Sequence, residues 1–305
     1  MRIVVFGAGS LGSLVGAALA RDSDHDVVLV ARDPHASAVL ETGLRLEGEL
    51  EARVEPSATT DGRGLEADLA VVTVKSFDTE TAAEALETGD YGAALSLQNG
   101  MGNEEVLADR LEPGTPVLAG TASYGAILRE PGVVECTGGG EVVLGPREGG
   151  TSEAADRVGE AFASAGLETT VADDMPRRLW EKLAVNAGIN AVAALSDVDN
   201  GAVLEPPASA LARTACRETA RVARACGVRL SNREALAALE RVAEATAANA
   251  SSMRQDVAAG RRTEIDAING YVVEKAVESG YDLEVPANRL LADLVRTWER
   301  ARGLC

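Results

Sequence analysis

Three polar side chains recur at every fourth position of one apolar segment, and their types suit chemistry on a polar substrate. They are Lys182, Asn186 and Asn190, and the residues between them are mostly apolar. A step of four residues in an α-helix advances about 400°, so the three side chains lie within about 80° on one face. Buried polar groups cost free energy unless paired. The stripe therefore favours a polar ligand or partner helix over a solvated face, because solvated faces in this chain are rich in Glu, Asp and Arg.

A second group of polar residues follows in the C-terminal third. The spacing of Asn249, Ser252 and Asp256 is i, i+3, i+7, which predicts one face of a helix. A further helix is predicted over residues 263–279, with Thr263 as its N-cap and Glu264 in its first turn, where the helix dipole favours a carboxylate. Helix capping and a functional role are both open for Glu264 on this evidence.

Two more polar residues stand at the ends of predicted buried strands. Lys75 closes the segment DLAVVTVK, and Asn99 follows ALSLQ. The carboxyl ends of strands in an open α/β sheet face the ligand crevice, so both residues are predicted to contribute to one site rather than to ordinary loops. Lysine is rare here, at three of 29 basic residues. Its compact ammonium, whose pKa can be shifted, is therefore notable at residues 75 and 182.

A glycine-rich turn follows the first predicted strand, and a helix follows the turn. Its residues are Gly7, Ala8, Gly9, Ser10, Leu11 and Gly12. The first glycine permits the tight turn, the second lets the backbone approach a pyrophosphate, and the third lets helix and strand pack closely. The helix N-terminus supplies amide donors for the phosphates. This context favours dinucleotide binding over a glycine-rich turn without a ligand.

The second predicted strand ends at Arg32 and Asp33, which bear on the choice of cofactor. An acidic residue here usually holds the ribose 2′-hydroxyl of NAD, whereas an arginine pairs with the 2′-phosphate of NADP. Arg32 favours NADPH, and Asp33 keeps NADH as the alternative. An exposed Arg–Asp pair without a cofactor role is a third interpretation.

Strands alternate with helices up to about residue 174, and only helical periodicity follows. We predict an α/β fold with an N-terminal Rossmann-type, doubly wound parallel sheet and a C-terminal all-helical domain. The domains are residues 1–174, which bind the dinucleotide, and residues 175–305, which carry substrate and catalytic residues. A hairpin is expected over residues 44–54, where Gly48 interrupts an alternating pattern.

Composition excludes several partners. The net charge is −19, which disfavours nucleic acid and anionic membranes, and no apolar run reaches the roughly 18–20 residues that span a bilayer. The N-terminus lacks the features of a signal peptide, so we expect a cytoplasmic protein. Four cysteines without a CxxC pair and two histidines predict no metal site. The excess of acid and the scarcity of lysine are typical of salt-adapted proteins.

Seven motifs in order give the chain a resemblance to a known family. They are GAGSLG, VTVKS, LQNG, WEKLAVNAGIN, DNG, NASSMRQD and RTEIDAING. Over essentially its full length the chain resembles the ketopantoate reductases. The resemblance implies NAD(P)H-dependent reduction of 2-dehydropantoate to pantoate, a step towards coenzyme A.

The resemblance also implies roles for individual residues. Lys182 corresponds to the general acid at the ketone, and Glu264 to a residue that contacts substrate or orients the lysine. Arg32 corresponds to the contact with the 2′-phosphate. The positions that match substrate contacts are Asn99, Asn186, Asn190, Asn200, Asn249 and Ser252, with Lys75 near cofactor and substrate and Asn99 near the cofactor as well.

Two rival functions remain at this point. One is a reductase of the same architecture that acts on another small 2-oxo acid, because pocket shape sets substrate size. The other is a non-catalytic NADP-binding sensor, which would need the glycine turn but not Lys182 or the asparagine stripe. We expect a homodimer, from the resemblance and from the large alanine-rich helical half.

Overall fold

The computed structural model describes residues 1–281 and 283–305, which form two compact units. The first unit comprises Met1–Gln98 and Asn103–Met175, and the second comprises Asn99–Gly102 and Pro176–Cys305. The short segment Asn99–Gly102 therefore packs with the helical unit although it lies within the N-terminal half of the chain. Asn99 thereby joins the unit that carries Lys182.

The first unit is built on three sheets within the described residues. Its strands are β1 (Arg2–Phe6), β2 (Asp26–Val30), β3 (Leu44–Gly48), β4 (Ala52–Val54), β5 (Ser57–Thr59), β6 (Glu66–Ala67), β7 (Leu69–Val72), β8 (Asp90–Tyr91), β9 (Ala94–Ser96), β10 (Val117–Ala122), β11 (Gly125–Glu130), β12 (Val133–Gly138), β13 (Val142–Pro146) and β14 (Thr169–Val171). The main sheet has the order β14-β13-β10-β9-β7-β1-β2-β5. Strands β5-β2-β1-β7-β9-β10 are parallel and follow the 3-2-1-4-5-6 order of a dinucleotide-binding sheet.

The helices lie in both units. Their bounds are α1 (Ser10–Leu19), α2 (His35–Thr42), α3 (Thr79–Leu86), α4 (Asn103–Arg110), α5 (Glu153–Ser164), α6 (Met175–Ser196), α7 (Ala208–Ala225), α8 (Asn232–Ala245), α9 (Ser252–Ala258), α10 (Tyr271–Glu278) and α11 (Pro286–Arg300). Within the described residues, two 3-10 helices occur at Ser76–Asp78 and Asn200–Leu204, and a π-helix at Asp266–Gly270.

Both faces of the main sheet are buried, which explains its continuous apolar strands. Alternate residues of β1 belong to different cores. Ile3 and Val5 pack in the core that includes α1 and α5, whereas Val4 and Phe6 pack in the core that includes α3 and α4. A parallel sheet covered on both faces requires apolar residues on both sides of each strand.

A second sheet, here called the accessory sheet, has the order β11-β12-β3-β4. Strands β3 and β4 form the hairpin predicted over residues 44–54, and β11 and β12 form another hairpin. The two hairpins join through parallel pairing of β12 with β3. The accessory sheet is thus assembled from two insertions into the dinucleotide-binding topology.

The second unit is helical around one apolar core, contributed mainly by α6, α7, α8, α10 and α11. Much of this core is alanine, so backbones approach closely and polar residues in the interface find carbonyl partners. Among the described residues, no helix combines the length and apolar character needed to cross a bilayer.

The predicted α/β fold class is confirmed, with two corrections. Strand β13 runs antiparallel to β10, and β14 pairs in parallel with β13, so the large sheet is not wholly parallel. The helix predicted over residues 263–279 is also wrong in its first part. A bend and the π-helix Asp266–Gly270 precede α10, and Glu264 lies outside regular helix.

Candidate functional site

The glycine-rich turn connects β1 to α1 in a space too small for side chains at two of its positions. Gly7 has a φ of +91°, and a Cβ atom there would lie 2.6 Å from the backbone nitrogen of Val74. A Cβ on Gly12 would lie 2.5 Å from the carbonyl oxygen of Gly7 and 2.5 Å from Oγ1 of Thr73. Such distances are far below van der Waals contact, so both glycines are required by the packing of the unit itself.

Gly9 differs, because no steric constraint inside the protein explains it. Among the described residues outside its immediate neighbours, the atom nearest to a Cβ on Gly9 is the carbonyl oxygen of Gly7 at 3.9 Å. Gly9 is exposed, and no side chain of the described chain caps the first turn of α1 behind it. An open backbone beside uncapped helix amides suits a phosphate group, so the turn fits a dinucleotide.

The two charged residues after β2 have different partners. The guanidinium of Arg32 is 87% exposed and pairs with the carboxylate of Asp78 at 2.6 Å. The carboxylate of Asp33 instead accepts hydrogen bonds from Oγ of Ser37 at 2.7 Å and from its backbone nitrogen at 3.2 Å. Asp33 is therefore engaged in the first turn of α2, and Arg32 is the group available to an anion.

Lys75 lies three residues after the end of β7 in the first unit and directly precedes the 3-10 helix Ser76–Asp78. Buried side chains shape this loop. Nε2 of Gln98 donates to the carbonyl of Val74 at 3.1 Å and to Oγ1 of Thr79 at 2.7 Å. Oγ1 of Thr79 in turn donates to Oδ1 of Asn103 at 2.9 Å. These contacts link the ends of β7 and β9 to the starts of α3 and α4.

The stripe predicted on one helix lies on α6 in the second unit. Lys182 and Asn186 are half-buried, and Asn190 is only 6% exposed. Within the part of the chain that the structure describes, the side chains of Asn186 and Asn190 make no hydrogen bond. The side-chain nitrogen and oxygen of Asn190 keep access to the surface although the residue is largely buried, so the amide is open to a ligand on this face of the helix. A polar ligand would satisfy it.

Glu264 and Asn99 meet in the same unit. The carboxylate of Glu264 is 5% exposed and accepts a hydrogen bond from Nδ2 of Asn99 at 3.4 Å. The segment that carries Asn99 is held against the π-helix, because the backbone nitrogen of Met101 donates to the carbonyl of Ala267 at 3.0 Å. Gly100 also approaches Ala267 too closely to admit a side chain.

The remaining predicted residues gather near the end of α6. The backbone nitrogen of Asn200 donates to the carbonyl of Asn249 at 3.0 Å, and its side chain donates to Oγ1 of Thr246 at 3.0 Å. Oδ1 of Asn200 is buried without a partner in the described chain. Ser252 is half-buried at the first position of α9.

The structure corrects the expected helical face of this cluster. Asn249 precedes α9 and is exposed, so it does not share a helix with Ser252. Asp256 is turned to a structural partner, since its carboxylate pairs with Arg261 at 3.0 Å and is nearly fully buried. Arg254 connects α9 to the loop after α6 by a hydrogen bond to Asp197 at 2.9 Å.

Sequence reasoning missed a buried network that ties the site's elements together. Nδ2 of Asn269, on the π-helix, donates to the carbonyl of Ala187 at 3.1 Å and to Oδ1 of Asn288 at 3.0 Å. Nδ2 of Asn288 donates to Glu218 at 2.8 Å and to the carbonyl of Ala215 at 3.1 Å. The signal was present, since Asn269 is the next-to-last residue of the RTEIDAING motif and Asn288 is a polar residue in the first turn of α11.

Both units match family models that describe the two parts of one protein family. Residues 3–149 match the family model described as ketopantoate reductase PanE/ApbA, and residues 174–299 match its C-terminal counterpart. A protein of Halobacterium salinarum named 2-dehydropantoate 2-reductase is 47% identical over 98% of this chain and 99% of its own length.

Two solved structures resemble this chain over nearly its full length. The PanE/ApbA family ketopantoate reductase of Ralstonia eutropha JMP134 has a TM-score of 0.89 at 36% identity, covering 99% of this chain and 100% of that chain. D-mandelate dehydrogenase in ternary complex with NADH and anilino(oxo)acetate has a TM-score of 0.91 at 25% identity, covering all of both chains.

The glycines of the turn provide a matched pair of substitutions. Gly12→Ala forces a Cβ against the backbone oxygen of Gly7, and we expect it to lower the free energy of unfolding by about 1–3 kcal/mol. Gly9→Ala has room inside the protein, so its unfolding midpoint should stay within about 1 °C of the wild type while dinucleotide affinity falls. Thermal unfolding and fluorescence titration measure the two effects. Equal destabilisation by both substitutions would contradict a ligand role for Gly9.

Proposed function

Because the chain belongs to the ketopantoate reductase family, we propose that it reduces 2-dehydropantoate to pantoate with NADPH. The observation that carries this proposal is the polar stripe on α6. Lys182 lies on the same helix face as Asn190, a largely buried residue whose amide makes no hydrogen bond in the described chain. A polar ligand that satisfies the amide would lie on the face that carries the ammonium.

The first unit supports the choice of dinucleotide. The open backbone at Gly9 and the first turn of α1 would hold the pyrophosphate, and Arg32 would hold the 2′-phosphate. Asp33 is occupied by Ser37, which favours NADPH over NADH. When bound, the reduced nicotinamide supplies the hydride. We propose that residues 1–174 serve dinucleotide binding and residues 175–305 substrate binding and catalysis.

Lys182 is proposed to act at the ketone oxygen of the substrate. Negative charge develops on that oxygen as the carbonyl carbon is reduced, and a fixed ammonium stabilises the transition state more than the ground state. The same Nζ donates the proton that completes the alcohol. Arginine is a poor substitute, because its guanidinium does not release a proton in this pH range.

The polar residues around this lysine are proposed to orient the substrate. Glu264 positions the lysine or a substrate hydroxyl, and its contact with Asn99 fixes the rotamers of both. The substrate's polar groups would be held by Asn186, Asn190, Asn200, Asn249 and Ser252, with Lys75 contributing from the first unit beside the cofactor. The Oδ1 atom of Asn200 is buried and has no hydrogen-bond partner in the described chain, so a small rotation of this side chain would offer an acceptor to such a ligand.

A second candidate substrate class follows from the comparison with D-mandelate dehydrogenase. Its complex holds anilino(oxo)acetate on the same fold, so reduction of a bulkier 2-oxo acid is the alternative to 2-dehydropantoate. A panel of 2-oxo acids assayed with NADPH separates the two. The highest kcat/KM should belong to 2-dehydropantoate, and a higher value for an aromatic 2-oxo acid would favour the alternative. A non-catalytic sensor would leave the α6 stripe unexplained.

Removal of the ammonium tests the mechanism. Lys182→Ala and Lys182→Arg should each lower kcat by about 100-fold or more, the usual scale of general acid catalysis, without changing the unfolding midpoint. Turnover is followed by the loss of NADPH absorbance. The matched control is Lys275→Ala, because Lys275 lies on α10 and pairs with Glu278. Near-normal turnover in Lys182→Ala would remove this residue from the proposed role.

Cofactor selection has its own test. Arg32→Ala removes the only predicted contact to the 2′-phosphate, so it should raise the KM for NADPH by about tenfold or more, the scale of a charged hydrogen bond, and leave the KM for NADH nearly unchanged. Asp33→Asn serves as control, because the carboxylate of Asp33 accepts hydrogen bonds from the backbone nitrogen and the hydroxyl of Ser37. An equal rise of both Michaelis constants in Arg32→Ala would show that Arg32 does not bind the 2′-phosphate.

We also propose that the protein acts as a cytoplasmic homodimer. The support for a dimer is an apolar face on α11, where Leu290 and Leu294 lie one turn apart and are 52% and 47% exposed. A second copy would cover this face. Light scattering coupled to gel filtration should give twice the chain mass, and Leu290→Glu/Leu294→Glu should shift it to the monomer. A wild-type monomer at assay concentration would exclude the dimer.

A further inference from the structure

His35 is a buried polar residue that the proposed function does not use. It opens α2, is 5% exposed, and lies in the first unit. Its imidazole has a partner at each nitrogen. The backbone nitrogen of Gly132 donates to Nδ1 at 3.0 Å, and Nε2 lies 2.9 Å from Oγ of Ser13.

The partners determine which tautomer is present. A backbone N–H can only donate, so Nδ1 is the acceptor and the ring proton of a neutral imidazole lies on Nε2. Nε2 then donates to Oγ of Ser13, and the hydroxyl of Ser13 donates to the carbonyl of Ala8 at 3.1 Å. Three hydrogen bonds therefore run in one direction, from Gly132 through His35 and Ser13 to Ala8.

This chain of bonds joins two parts of the first unit. Gly132 lies in the turn between β11 and β12 of the accessory sheet, whereas Ala8 lies in the glycine-rich turn. A second bond makes the same connection, since the backbone nitrogen of Leu128 on β11 donates to Oγ of Ser10 at 3.0 Å. The accessory sheet thus contacts the turn at two of its residues, and neither contact uses a backbone amide that a phosphate would need.

We propose that His35 is a positioning residue for the dinucleotide: through Ser13 it fixes the peptide of Ala8 so that the turn's amides face the pyrophosphate. The inference rests on the proposed dinucleotide binding, which it deepens. A preorganised turn pays no ordering cost when the ligand binds. Loss of the link therefore weakens cofactor binding and leaves the chemical step of the bound complex unchanged.

The link has a defined response to pH. Burial lowers the pKa of His35 below its ordinary value of about 6.5. Protonation places a second N–H on Nδ1 opposite the N–H of Gly132, so the bond between Gly132 and His35 is lost and the link to the accessory sheet is cut. Because the folded-state pKa is lowered, the link is intact above the ordinary value and is lost as the pH falls through the folded-state pKa.

The charged groups on the surrounding elements have other partners or face solvent. Helix α1 carries none between Ser10 and Leu19. On the β11–β12 hairpin, Arg129 pairs with Glu135, and Glu130 is exposed. On β3, Arg45 pairs with Glu47. Near α2, Arg32 and Asp33 have the partners given above, and Glu41 is exposed. Desolvation is thus the cause of the shift at His35.

The test compares NADPH binding by fluorescence titration in the wild type, His35→Ala, Ser13→Ala and the double variant. Each single variant should raise the dissociation constant at about pH 8 by about tenfold, the cost of one buried hydrogen bond. The double variant should match the singles, because both cut the same link. Turnover at saturating NADPH should stay within about twofold of the wild type. His25→Gln, which changes the only other histidine, is the control and should bind as the wild type does.

The pH profile distinguishes positioning from general structural damage. The 2′-phosphate of NADPH itself titrates near a pKa of about 6, and this titration affects binding to every variant in the same way. The wild type is therefore compared with Ser13→Ala, so that the difference between the two pH profiles comes from the protein. Wild-type affinity should fall more steeply below about pH 6.5 than that of Ser13→Ala.

Two results would overturn the inference: wild-type affinity in both single variants, or superimposable pH profiles. Neither depends on turnover, so a wild type that binds NADPH but reduces no 2-oxo acid would count against the proposed function alone. His35→Ala is the variant most exposed to misfolding, and Ser13→Ala, which removes one oxygen atom, keeps the test decisive in that case.

Discussion

The hydrogen bond from Asn269 to the carbonyl of Ala187 fixes the position of the segment that carries Glu264 relative to α6, which carries Lys182. Ala187 lies on α6 between Asn186 and Asn190, and Asn269 lies five residues after Glu264. The bond therefore sets where the carboxylate segment lies along the helix that carries the lysine. The bond is fully buried, so breaking it would leave buried polar atoms without partners, at a cost in stability of about 1–3 kcal/mol each.

That bond is itself held by a carboxylate. Asn269 donates to Asn288, and Glu218 accepts from the side chain and backbone nitrogen of Asn288 at 2.8 and 3.0 Å. Glu218 thus occupies the N-terminus of α11, where backbone amides and the helix dipole favour a negative charge. One buried acid aligns α7 and α11, and through two asparagines it aligns the π-helix with α6. The π-helix matters here, because its wider turn lets Asn269 reach inward while Glu264 stays outside regular helix.

The order of elements and the stripe on α6 were readable from sequence because both are periodic and local. The doubly covered sheet follows from continuous apolar strands, and the face shared by Lys182 and Asn190 follows from helical spacing. The failures have one cause. A π-helix, an antiparallel edge strand and the transfer of Asn99–Gly102 to the helical unit depend on partners remote in sequence. Helical spacing also suggested that Asn249 and Ser252 share a helix, whereas the chain turns before α9.

The chain's charge shapes how it meets its ligands. A protein with a net charge of −19 repels an anionic dinucleotide and an anionic 2-oxo acid at long range. At about 1 M salt the Debye length is only about 3 Å, so that repulsion is screened while direct contacts persist. Attraction then depends on the cations that contact the ligand directly. Arg32 forms an exposed ion pair with Asp78, and such a pair contributes only about 0–1 kcal/mol to stability. At the proposed Arg32 site a 2′-phosphate, with its greater charge, would displace that carboxylate at little cost, and an acidic surface and an anionic cofactor would then be compatible in concentrated salt.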